Sequence, residues 1–433
     1  MSLPRALPLV ACLLTCAAAR GADWPQYRGP GRDDVSAETG LLQAWPAGGP
    51  KLLWTYRDAG IGYSGPAIVG DLYYTLGGRG DREFLIALDI KAVSAGTVSQ
   101  AWATDVGPLF QWDGNKWSAG PSTTPTVDGE LIFTLGGMGD LLCAATATGE
   151  PRWRKNLPKE LESQVNPIGG GPKNLGWGYT GSPLVDGERL ILAVGGPKGT
   201  LAALNKHTGD VLWRSTELTD QAAYTSPIAA DFGGVRQYVV LTNQGLSGVA
   251  AADGRLLWRS PRRYGTEVVN SPLISGDYVY TTVGSAQGCD LVKIEKDGDK
   301  FQATPVYNNQ NLANHHGNVV LVDQHIFGHS QNKGWICQNL RTGEAVWSER
   351  MKLRAGALTY ADGRLVLFSE DNGTVAQIEA STAGWRETGR FPIPEQTKLR
   401  KPNGRIWTPP VISGGRLFLR DQELVFCYNL KGE

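Results

Sequence analysis

One unit recurs along this chain, and it limits the fold more than any other feature. It opens on a small or polar residue, often with Pro, and runs through a short apolar strand, a Gly/Asp turn and a second apolar strand. A Gly-rich turn, a third strand and a last turn then lead to Trp. The clearest copy reads Gly181-Ser182-Pro183-Leu184-Val185-Asp186-Gly187, Leu190-Ile191-Leu192-Ala193-Val194, Thr200-Leu201-Ala202-Ala203-Leu204 and Thr208-Gly209-Asp210-Val211-Leu212-Trp213. The preceding copy has Thr124-Pro125-Thr126-Val127-Asp128-Gly129, Leu131-Ile132-Phe133-Thr134-Leu135 and Thr148-Gly149-Glu150 before Trp153. Others open at Ser64, Ser226, Ser271, Gly317, Gly356 and Thr408. Such self-similarity marks a unit that buries its apolar faces only by stacking on its neighbours.

Trp54 and Trp385 lie 331 residues apart. Seven steps make that about 47 residues each, enough for four strands of ~5 residues with turns, the blade of a β-propeller. One copy, near Val306-Tyr307, lacks its Trp. The second strands (Leu72-Tyr73-Tyr74, Leu365-Val366-Leu367-Phe368, Leu417-Phe418-Leu419) are continuous apolar runs, the pattern of strands covered on both faces. The last unit, Thr408 to Leu430, has about three strands and no closing Trp, whereas Lys51-Leu52-Leu53-Trp54 is a last strand without a blade. The two complete each other. The expected fold is all-β, an eight-bladed propeller closed by its N-terminal strand, with seven blades as the alternative count. Closure removes the open sheet edge that invites aggregation.

Composition agrees with a turn-rich, folded chain: 56 Gly and 14 Trp among 433 residues. Lys and Arg (42) balance Asp and Glu (42), so no electrostatic field recruits nucleic acid. Residues 1–22 read as a signal peptide, with basic Arg5, an apolar stretch from Leu7 to Ala19 and the small residues Ala17-Ala18-Ala19. The expectation is an exported protein, periplasmic or extracellular. Leu9-Val10-Ala11-Cys12 resembles a lipobox, which makes lipid anchoring the alternative. No segment reaches the ~20 apolar residues of a membrane span. Residues 23–50 form an N-terminal extension, and 51–433 a single propeller domain. Beyond the signal, Cys143, Cys289, Cys337 and Cys427 stand far apart without CxxC or CxxCH, and read as buried thiols.

Ala202-Ala203-Leu204 followed by Thr208-Gly209-Asp210-Val211-Leu212-Trp213 resembles the A-x-D-x-x-T-G-x-x-x-W repeat of quinoprotein-type propellers, with Asn205 in the Asp place. Arg341-Thr342-Gly343-Glu344-Ala345-Val346-Trp347 repeats it. The opening Asp23-Trp24-Pro25-Gln26-Tyr27-Arg28-Gly29-Pro30 resembles the start of secreted PQQ-binding-like propeller proteins. The resemblance implies that Trp54, Trp102, Trp153, Trp213, Trp258 and Trp347 dock structurally between blades. It leads to two branches. Quinoprotein dehydrogenases hold pyrroloquinoline quinone and Ca²⁺ in the central channel. The outer-membrane-assembly lipoprotein is instead a scaffold that binds other proteins. The vicinal disulfide typical of the enzymes is missing, and no spaced Glu/Asn/Asp set supplies Ca²⁺. The expectation is therefore a non-enzymatic binding or scaffolding propeller without a cofactor, its partners other envelope proteins or a glycan. A quinone-dependent dehydrogenase and a carbohydrate-binding propeller are the alternatives.

No Ser-His-Asp set with a nucleophile elbow and no HExxH appears, so no catalytic residue and no metal ligand is assigned. The candidate contact residues lie in long connections before first strands, which gather on one rim. Trp117 falls within 107–121, Trp177 and Tyr179 within 157–181, and Arg405 and Trp407 before the eighth unit. Aromatics with Arg on loops suit ligand or partner contact. In the sixth unit a hairpin turning at Asp323-Gln324 pairs residues whose numbers sum to 647. That places His329 opposite Asn318 and near His316, with His315 the weaker third member, facing the channel mouth.

Overall fold

The strands form where the repeat places them. The computed structural model describes residues 23–432, and there eight antiparallel sheets follow one another along the chain. Blade 3 shows the plan: Leu184–Asp186, Arg189–Ala193, Leu201–Asn205 and Val211–Arg214 pair in order from the axis outward. Blade 8 holds Val411–Ser413, Arg416–Asp421 and Leu424–Asn429, and its outer strand is Leu52–Tyr56, antiparallel to the third with Trp54 opposite Cys427. The ring thus closes as expected, with the closing strand running two residues beyond Trp54.

The apolar side chains form eight separate clusters, one in each seam between adjacent blades. This explains the continuous apolar runs: an inner strand meets a neighbouring blade on both faces. The four cysteines are free and buried in these seams. Burial pushes the Cys143 thiol up to about 12, as suits packing and not reactivity.

The closing tryptophans dock onto the next blade. The indole N–H of Trp102 donates to the Thr146 carbonyl (3.2 Å), Trp153 to Lys206 (3.0 Å), Trp213 to Ala251 (3.2 Å) and Trp347 to Ser381 (2.8 Å). These four rings are half-buried, and Trp54 is fully buried. Gly209 in the receiving turn has φ +75°, and a Cβ there would press on the Trp153 ring. That is why Thr-Gly and Trp recur together. Blade 5, which lacks Trp, uses Tyr307, whose hydroxyl donates to Leu340 (2.9 Å). Trp258 departs from the pattern: buried in the seam of blades 4 and 5, its indole N–H donates to Gln237 of its own blade (2.7 Å). The reason is local. Blade 5 presents the long hairpin Gly288–Asp297 and Lys300–Asn309 where a short Thr-Gly turn would receive the ring.

The extension at 23–50 is built into the ring. Trp24 exchanges backbone hydrogen bonds with Ile68 of blade 1, and the Pro25 carbonyl accepts from Val127 of blade 2. Arg32 donates to the Ser182 and Pro183 carbonyls of blade 3, and Arg28 to that of Val319 in blade 6. Val35–Ser36 lies parallel to the inner strand of blade 7, and Glu38 accepts from Gly414 and Gly415 of blade 8. A segment that touches the inner strands of six blades, or the residues flanking them, fills the channel. Arg28 and Asp34 form an ion pair there at 2.5 Å, both about 1% exposed. Burial works against the Arg28 charge, and the combined attraction of Asp34, Tyr27 and Asp33 outweighs it. Further on, Trp45 packs on Phe391 in the seam of blades 7 and 8.

Candidate functional site at the channel mouth

Antiparallel order puts every blade-to-blade connection at one end of the ring. There, above the plug, lies an axial cavity of about 500 Å³. Tyr27 of the plug is part of its lining, and Trp117, Trp177 and Trp407 come from the long connections. Each is held from behind. The Trp117 carbonyl accepts from the Tyr63 hydroxyl (3.1 Å), and the Trp177 indole donates to Glu267 (3.3 Å). The Trp407 indole donates to Glu370 (3.1 Å). Trp117 and Trp177 meet edge to face at 6.0 Å.

The hairpin of blade 6 has the expected register, Val319 opposite Gly328 and Val322 opposite His325. His315 and His316 line the cavity with ring centres 4.0 Å apart, and His316 stacks on Trp407 at 4.8 Å. Burial lowers the pKa of both, His316 well below the ordinary value, so both are neutral. His329 reaches the same rim but turns away, against Trp335 at 5.4 Å, and does not line the cavity. Its strand partner is Trp335, and burial lowers its pKa to about 4. Arg405 also stands outside, paired with Asp371 at 3.1 Å. Tyr179 faces a second, polar depression beside Arg154 and Lys159, its hydroxyl bonded to Ser163. Of the eight candidates, the structure gathers five around one cavity.

Sequence reasoning missed Tyr27, Tyr63, Tyr224, Glu267 and Asn270 in the lining. A positional signal existed. The residue three places before the Pro that opens each inner strand is Tyr63, Ser122, Thr180, Tyr224 and Val269 in blades 1 to 5, and each lines the cavity. His315 and Trp407 hold the same place in blades 6 and 8. One repeat position, read across the copies, writes the wall of the axial site.

The chemistry of this wall is specific. It contains no Lys or Arg. Its carboxylate, Glu267, has a lowered pKa: burial opposes the charge, but hydrogen bonds from Thr266 and Trp177 outweigh it. Pyrroloquinoline quinone is a planar tricarboxylate held with Ca²⁺. A wall with one engaged carboxylate, two neutral imidazoles and no cation offers neither counter-charge nor a hard oxygen cage. Among the described residues no three His, Cys, Asp or Glu groups converge as metal ligands. The residues present do not fit that cofactor.

Fold and site together define an eight-bladed propeller of the PQQ-repeat class with a plugged channel and a blind axial cavity. Residues 87–349 match the family of the outer membrane protein assembly factor BamB, and the chain belongs to that family. BamB of Shewanella oneidensis is 26% identical over 239 residues, 52% of this chain and 56% of that protein. BamB of Burkholderia pseudomallei is 26% identical over 378 residues, 79% of this chain and 91% of that protein. The crystal structure of BamB from Moraxella catarrhalis superposes with a TM-score of 0.58 at 15% identity, over 88% of this chain and 98% of that one. Quinohemoprotein alcohol dehydrogenase from Comamonas testosteroni gives 0.62 at 11% identity, over 96% and 82%. Identities this low show a shared fold and nothing about chemistry. Among the described residues, no helix is long and apolar enough to cross a membrane.

Proposed function

We propose that this protein is an exported, non-enzymatic binding propeller that scaffolds other proteins of the cell envelope. The observation that carries the reading is the plug. Residues 24–38, which bond to the inner strands of six blades or to the residues beside them and hold a buried ion pair among themselves, turn the channel, where the enzymes of this class hold their cofactor, into a hub. Recognition of other proteins is left to the exposed outer surface of the rim, where the longest connections converge. The relatives, outer membrane protein assembly factors, support the same direction. The test is site-specific photo-crosslinking in cells. A crosslinker at Leu399, exposed on the mouth side, should trap discrete envelope proteins. One at Val93, at the far end of its strand, should trap none. Equal labelling at both positions, or a chain that stays in the cytoplasm, would overturn the reading. So would dye-linked dehydrogenase activity after incubation with pyrroloquinoline quinone and Ca²⁺.

A further inference from the structure

The geometry points to the axial cavity as a binding site for a neutral, hydroxyl-rich ring ligand, the end of a short oligosaccharide. This goes beyond the scaffold reading and does not rest on it, since it concerns the cavity wall and not the outer rim.

Size and shape come first. About 500 Å³ lies within the ~300–1,000 Å³ usual for small-molecule sites and is enclosed by parts of seven blades. Trp117 stays 44% exposed at the mouth although blade packing needs no indole there. Flat aromatic faces at an entrance take the apolar C–H face of a sugar ring.

Charge and hydrogen bonding select among ligands. Without Lys or Arg, and with an ionised Glu267, the wall rejects phosphates and carboxylates. His315 and His316 are neutral, so each ring offers one donor and one acceptor. Neither ring is hydrogen-bonded to another group among the described residues. Ser122 and Thr124 add hydroxyls, Thr180, whose own hydrogen goes to the Tyr224 carbonyl, adds an acceptor, and Asn318, whose oxygen accepts from Tyr27, adds its amide N–H₂. A ligand that donates and accepts at every position satisfies such a wall, and a polyol does so. An organic cation could pair with Glu267 but would leave the donors of the imidazoles and hydroxyls unmet.

The test uses the chain from Asp23 onward on an array of neutral mono- to tetrasaccharides, followed by calorimetry with the strongest hit. Wild type should bind at least one neutral glycan. Trp117→Ala and His316→Ala should each weaken it by about tenfold or more, as for central aromatic contacts, with unchanged melting. Met351→Ala, a 90% exposed residue outside the cavity, should bind as wild type does. Tetramethylammonium chloride is the competing probe. If folded wild type binds no neutral glycan, or if both cavity variants bind undiminished, the inference fails. It also fails if tetramethylammonium binds more tightly than every sugar. Such a failure would leave the crosslinking result untouched, so the two readings fall separately.

Discussion

Gly254 and Trp213 show how single residues hold a seam. Gly254 sits at φ +76°, and a Cβ there would strike the Trp213 ring. Gly254→Ala therefore combines left-handed strain with a clash, and should cost about 2–3 kcal/mol in urea unfolding. Gly384, at φ +112° with nothing near its Cβ position, should cost about 1 kcal/mol as Gly384→Ala. Equal costs would show that the ring contact is immaterial. Glu83 poses an electrostatic question. It is fully buried, accepts from the Phe110 and Gly137 amides at 3.0 and 2.9 Å, and has its pKa pushed up to about 7 by burial. A carboxyl whose folded pKa is raised holds its proton more tightly when folded. Its contribution is most favourable below the unfolded pKa, near 4.5, and declines as pH rises to about 7. The lowered histidines act oppositely below about 6.5, so the comparison must be between proteins. The melting temperature of Glu83→Gln should fall less between pH 5 and pH 8 than that of wild type. Parallel pH profiles would refute the assignment. Nothing around Glu83 in the sequence announced this, because its partners are backbone amides 27 and 54 residues away.

At the level of elements, residues 23–56 do two separable jobs. Leu52–Tyr56 closes blade 8, and the preceding segment plugs the channel. Deleting 23–50 should leave a closed, monomeric ring that melts lower. Deleting 23–54 should also expose the edge of blade 8 and bring aggregation. Scattering during thermal melts distinguishes them, and a monomer from the longer deletion that melts like wild type would refute closure. Closure was legible because a unit without a last strand and a last strand without a unit imply each other. The plug was not. Asp23 to Ser36 reads as a polar, Gly-containing stretch, and only the assembled ring supplies the carbonyls that Arg28 and Arg32 require. Arg420 makes the same point at the closing seam. Buried in blade 8, it donates to the carbonyls of Ala59, Gly60, Ser64 and Leu76. Burial lowers its pKa to about 10, still charged at neutral pH.

Across the whole molecule, eight seams share no common core, so the ring's cooperativity comes from closure and from the hub. The thiols report on this, because Cys143, Cys289, Cys337 and Cys427 lie in four different seams. In urea, a chain starting at Asp23 should expose all four to a thiol reagent at one midpoint. The 23–54 deletion should release Cys427 first. Early reaction of one thiol in the wild-type ring would show independent blades. The sequence by itself determined the propeller architecture, the strand plan within each blade, the pairing that closes the ring and the register of the His325 hairpin, while the choice of eight blades over seven came from the structure. What the sequence determined follows from a local period or a local turn. Tertiary structure alone decided which candidates share a site, that His329 turns to Trp335 while His316 turns to the axis, and that the channel is filled from within. Those depend on contacts such as Arg28 to Val319, 291 residues apart in the chain. A repeat specifies each blade through neighbours in sequence, whereas the axis is a place where all the blades meet, and no local pattern encodes what a ring brings together at its centre.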